Sequence, residues 1–138
     1  MAVHHMGLMC RDIRAMEAWY TQHFGFRRAR AIGSGSDEIL FLAADGFYLE
    51  LFVAAEPSPV GPLTGPGPSY PGWRHLAFKV DDVDAVLAEM GDDAHITAGP
   101  MSFDAFIPGW KTVWVADPDG NIVEISQGFV DDPDVSPA

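Results

Sequence analysis

The feature that most constrains this chain is that its pattern is written twice. A β-rich run holding a histidine comes first, then a helical stripe, then further β-rich runs, and the order restarts at Trp73. His5 lies seven residues before Asp12, and His75 lies seven before Asp82. Each aspartate is an expected helix N-cap. Ile13, Met16, Trp19, Tyr20 and Phe24 recur at helical spacing after the first, and Val83, Val86, Leu87 and Met90 after the second. Gly25 and Gly91 are the expected stops. Each half also ends in a strand with a mid-run acid, Glu50 in one and Glu124 in the other. The expectation is an α+β fold of two βαβββ modules, over 1–56 and 73–130. A Pro/Gly-rich linker over 57–72 joins them, and an acidic tail over 131–138 follows.

The last turn of the second module fixes its register. Asp117-Pro118-Asp119-Gly120 is strong turn chemistry between Thr-Val-Trp-Val-Ala and Ile-Val-Glu-Ile-Ser, so a β-hairpin is expected. Side chains alternate along a strand. Alternation puts His5, Gly7 and Met9 on one face of the first strand, away from Met6, Leu8 and Cys10. It puts His75, Ala77 and Lys79 together in the second module. Glu50 shares a face with Tyr48 and Phe52, and Glu124 with Ile122 and Ser126. One mid-strand acid alone reads as a solvated outer-face residue. Two histidines and two glutamates at equivalent positions of a duplicated module read instead as a polar cluster of the kind that marks a site.

Other strands are expected over 2–10, 26–32, 38–43, 47–53, 73–80, 110–116 and 122–127, with a short one over 94–98. Residues 99–109 read as a loop carrying Phe103, Phe106 and Pro108. The length of 138 residues suits one domain with a sizeable core. The formal charge of −12 argues against nucleic-acid and anionic-membrane partners, which need a basic patch. One cysteine, Cys10, excludes an intrachain disulfide framework and fits a reducing compartment. The first residues have neither the basic nor the apolar region of a signal peptide, so a cytoplasmic location is expected.

Four segments together resemble the vicinal oxygen chelate superfamily, which contains glyoxalases, bleomycin-resistance proteins and extradiol dioxygenases. They are His-Met-Gly-Leu-Met-Cys-Arg-Asp at 5–12, Tyr-Leu-Glu-Leu-Phe at 48–52, His-Leu-Ala-Phe-Lys-Val-Asp-Asp at 75–82 and Asp-Pro-Asp-Gly-Asn-Ile-Val-Glu-Ile at 117–125. The resemblance implies a cup-shaped mixed β-sheet around one divalent metal ion, held by His5, Glu50, His75 and Glu124. It also implies a homodimer, with modules paired within or between chains.

That donor set suits Zn²⁺, Ni²⁺, Co²⁺, Mn²⁺ or Fe²⁺. The resemblance implies a lyase or isomerase that stabilises an enolate or enediolate of a small carbonyl or vicinal-oxygen substrate. Glu124 or Glu50 would be the base. Glutathione-dependent relatives usually carry Arg and Asn where this chain has Met9 and Ala54, which weakens the case for a glutathione substrate. Tyr48, Phe52, Phe106, Trp110, Trp114 and Met9 are the expected substrate contacts and favour an apolar or aromatic small molecule. The same resemblance implies two alternatives. One is a ring-cleaving dioxygenase using His5, His75 and Glu124; the other is a non-enzymatic protein that binds an aromatic drug.

Overall fold

A computed structural model describes residues 1–135. Of the tail expected over 131–138, residues 136–138 lie outside the described residues. The chain forms two compact units. One comprises 1–63 with 117–121, and the other 64–116 with 122 onward.

The first unit runs β1 (His5–Cys10), α1 (Ile13–Phe24), β2 (Arg27–Ile32), a 3-10 turn at Gly35–Asp37, β3 (Ile39–Ala44) and β4 (Phe47–Val53). Its strands lie in the order β1-β4-β3-β2, with β1 parallel to β4 and the other pairs antiparallel. The second unit repeats this with β5 (Leu76–Lys79), α2 (Val83–Met90), β6 (Ile96–Ser102), β7 (Lys111–Ala116) and β8 (Ile122–Gln127), ordered β5-β8-β7-β6. β5 is parallel to β8, and the remaining pairs are antiparallel. The expected α+β fold of two βαβββ modules is therefore the observed one.

The helices begin and end for local reasons. The Asp12 carboxylate accepts from the backbone N–H of Arg14 and Ala15, and Gly25 closes α1 at φ 67°. The Asp82 carboxylate accepts from Ala85 N–H, and the chain leaves α2 through a 3-10 turn at Gly91–Asp93. Met16, Trp19 and Tyr20 of α1 are buried, as are Leu40 and Leu42 of β3 and Leu49 and Leu51 of β4. Fully burying one such leucine contributes about 1.5–3 kcal/mol. This packing commits one face of the first sheet to the core and leaves the Glu50 face for other tasks. In the second unit Val83 and Met90 are buried, together with Val113, Val115, Val123 and Ile125.

Three details differ from the sequence expectation. β5 begins at Leu76, so His75 stands just before its strand. β6 continues through Gly99 and Pro100 to Ser102, where a loop was expected. It does so because β6 is an edge strand, where a proline's missing N–H costs no ladder bond, and because its register is shifted between Ala98 and Met101. The proline-rich segment is also not a bare linker throughout. The second compact unit starts at Thr64, and the Gly65 carbonyl accepts from Thr97 Oγ1 at 2.8 Å.

The turn after β7 groups with the first unit. Asp117 is buried, and its carboxylate accepts from Tyr20 Oη, Asn121 Nδ2 and the N–H of Asp119 and Asn121, at 2.9–3.0 Å. Arg11 N–H donates to Asp119 Oδ2, and the Arg11 guanidinium donates to the Pro118 carbonyl.

Candidate functional site

Each module presents one imidazole and one carboxylate side by side. In the first, β1 and β4 run in parallel with Gly7 opposite Glu50, so His5 and Glu50 share a sheet face. His5 Nε2 lies 3.4 Å from Glu50 Oε2. His5 Nδ1 lies 2.8 Å from Nδ1 of His4, whose ring packs on Tyr48 at 4.9 Å. A Cβ at Gly7 would make ordinary contacts, 4.0 Å from Glu50 Oε2 and 3.6 Å from the Phe52 ring. The equivalent second-module residue, Ala77, is also small and pairs with Glu124.

The second pair is tighter. His75 Nε2 lies 2.7 Å from Glu124 Oε2. The other ring nitrogen, Nδ1, lies 2.7 Å from the Pro66 carbonyl oxygen. A carbonyl can only accept, so Nδ1 carries a proton and donates it. If the imidazole is neutral, its Nε2 lone pair then faces a carboxylate. A proton shared between the two groups satisfies that contact, and so does a cation bound by both. An N–H turned to a backbone carbonyl is the usual way of fixing a ligating histidine's tautomer. The donor chemistry of this pair, one imidazole nitrogen and one carboxylate oxygen, is of the kind a borderline divalent ion takes. Side-chain exposure is 44% for His5, 20% for Glu50, 21% for His75 and 14% for Glu124, so all four remain open to solutes. Among the described residues, no three His, Cys, Asp or Glu side chains gather as one potential ion site. The units supply the four groups as two pairs.

Glu124 is held by more than its histidine. Thr112 Oγ1 donates to Oε1 at 2.8 Å, and Trp114 Nε1 donates to Oε2 at 3.2 Å. Of the expected substrate contacts, Trp114 is thus at the carboxylate and largely buried. Trp110 donates to Ser126 Oγ at 3.1 Å and stacks on Phe103 at 4.7 Å. Tyr48 and Phe52 share the Glu50 face. Met9 is 61% exposed and Phe106 78% exposed; Phe106 lies on the loop before β7, beside neither pair by any hydrogen bond or ring contact. Sequence reasoning missed Thr112, Pro66 and His4. Alternation along β7 could have found Thr112, which is two residues from Trp114; a backbone carbonyl such as that of Pro66 leaves no side-chain signal.

The repeated topology agrees with comparison to known proteins. The pattern of the Glyoxalase/Bleomycin resistance protein/Dioxygenase superfamily matches residues 2–125. The chain belongs to that superfamily. YaeR of Escherichia coli (strain K12) is 30% identical over 131 residues, covering 89% of this chain and 93% of YaeR. The crystal structure of a glyoxalase/dioxygenase from Nostoc punctiforme superposes with a TM-score of 0.72 at 25% identity, covering 94% of this chain and 92% of that one. TnmS3, an antibiotic binding protein from Streptomyces sp. CB03234, shares the fold at 22% identity and a TM-score of 0.65, covering 94% and 97%. The superfamily includes both enzymes and small-molecule binders, and the chain's glyoxalase-type fold accommodates either. No helix among the described residues is long and apolar enough to cross a membrane.

Proposed function

We propose that this member is a divalent-metal-dependent lyase or isomerase of glyoxalase type, with His5, Glu50, His75 and Glu124 as the ligands of one ion. The observation that carries this reading is the His75 contact: Nδ1 is committed to the Pro66 carbonyl while Nε2 faces Glu124 at 2.7 Å. A bound ion of this class would supply Lewis acidity to a substrate carbonyl oxygen, an effect worth several kcal/mol. The chain's own residues do the rest. The two imidazoles and two carboxylates orient a ligand with adjacent oxygens, and a glutamate oxygen takes up a carbon-bound proton. Tyr48, Phe52 and Trp114 border those groups and favour an apolar or aromatic substrate.

Elemental analysis of the purified protein tests the reading. The expected result is about one zinc, nickel, cobalt, manganese or iron per chain, retained on desalting and lost from Glu124→Gln. A metal-free protein that takes up none of these ions would overturn it. Light scattering tests the dimer, and a monomer at micromolar concentration would refute that part alone. Oxygen uptake with catechols would point to ring cleavage instead of isomerisation, although a fourth ligand at Glu50 takes space that dioxygen and catechol need.

A second reading is a non-enzymatic binder of aromatic molecules. It is favoured by Met9, which is exposed on the same face of β1 as His5. Tight binding of aromatic compounds by metal-free protein would support it.

A further inference from the structure

The duplication allows the two carboxylates to be compared position by position. Glu50 of β4 pairs across the sheet with Phe41 of β3, and Glu124 of β8 pairs with Trp114 of β7. Two residues further along, Phe52 pairs with Ile39, and Ser126 with Thr112. The neighbours of Glu50 are therefore Phe41 and Ile39, where Glu124 has Trp114 and Thr112. The first pair has no hydrogen-bond donor in its side chains. The second has two, and both are used.

Thr112 is only 1% exposed, and its single hydroxyl proton has two acceptors within reach: Glu124 Oε1 at 2.8 Å and the Ile125 carbonyl at 3.2 Å. The shorter contact, to a charged acceptor, is the stronger. With Trp114 on Oε2, both oxygens of Glu124 are engaged by its own module. Among the described residues, Glu50 has one polar side-chain contact, His5 at 3.4 Å.

Resting on the metal reading above, we infer that Thr112 and Trp114 are positioning residues that fix the Glu124 carboxylate, a support that the strand neighbours of Glu50 do not supply. The two glutamates thus have different tasks. Glu124 anchors the ion, with its geometry set before binding. Among the described residues, Glu50 has no side-chain donor on β3 and keeps only its contact with His5 of β1.

Zinc affinity of the full chain, measured by chelator competition, tests this without any need for a substrate. Removing an outer partner of a metal ligand typically costs about 10- to 100-fold in affinity. Thr112→Val and Trp114→Phe should each show a loss of that size, and Thr112→Ser, which keeps the hydroxyl, should restore affinity to within about threefold of wild type. Glu124→Gln should weaken zinc binding at least about tenfold more than Glu50→Gln. Melting temperatures of the metal-free variants separate the roles, because a merely structural Thr112 would lower the melting temperature and leave zinc affinity alone. Wild-type affinity in Thr112→Val, or a Glu50→Gln defect as large as that of Glu124→Gln, would overturn the inference while the metal reading stood. A wild-type chain that binds no zinc or other divalent ion would remove both.

Discussion

The Tyr20 hydroxyl donates to Asp117 Oδ2 at 3.0 Å, joining the middle of α1 to the turn between β7 and β8, 97 positions away. Burial pushes the Asp117 carboxyl above its usual 3.8, and the hydrogen bonds from Asn121, Tyr20 and Asp119 hold it down. Tyr20→Phe removes one of those donors and should cost about 1.5–3 kcal/mol in urea unfolding, the range for a hydrogen bond to a charged group. The sign of its pH dependence follows. A raised native pKa gives stability that is present below 3.8 and lost as pH rises through the native value. Losing Tyr20 raises that value further, so the variant's deficit should grow from acid to neutral pH. A deficit independent of pH would show that the carboxylate does not depend on this bond.

Glu17 should behave in the opposite sense. Hydrogen bonding by the Arg28 guanidinium, with Arg14 also close, holds its carboxyl below the usual 4.5. A depressed native value gives stability that is present above 4.5 and lost as pH falls through that lower value. Glu17→Gln should flatten this acid-side loss. Because the cluster is at the surface, the difference should shrink in high salt.

Cys10 should be inert in the folded protein. Its thiol is fully buried, and burial, with Asp119 and Asp117 adding to it, pushes its pKa up to about 12. The thiolate is the reactive form. Alkylation by iodoacetamide at pH 8 should be slow in native buffer and go to completion in denaturant. Rapid native labelling would mean that the strand edge opens readily.

Gly67 connects the proline-rich segment to the site. Its φ is +107°, and a Cβ there would run into the Arg74 carbonyl oxygen. It follows Pro66, whose carbonyl orients His75. Gly67→Ala should cost about 1–3 kcal/mol, the range for a residue forced into such backbone. It should also weaken zinc binding by releasing Nδ1 of His75. Gly61→Ala, which meets open space, is the matching control and should change neither.

Much of this architecture was legible in the sequence because the repeat constrains each element twice. Asp12 and Gly25 bound α1 where capping chemistry says they should. Strand alternation put His5 and Glu50 each on a polar face of its strand, and the structure sets His5 beside Glu50 and His75 beside Glu124 as two separate pairs. The failures have physical causes. Gly99 and Pro100 read as loop because propensity cannot sense that β6 lies at an edge, where a proline is harmless. Thr112 reads as an ordinary β-former, since nothing in a single sequence distinguishes a threonine that packs from one that donates to a carboxylate. The hold on His75 comes from the backbone of Pro66, to which side-chain patterns are blind.

The mismatch between the halves also makes the asymmetry portable. Four side chains, Ile39 and Phe41 in one copy and Thr112 and Trp114 in the other, distinguish the surroundings of two otherwise matching acids. Exchanging them between copies would move both hydrogen-bond donors from the C-terminal glutamate to the N-terminal one.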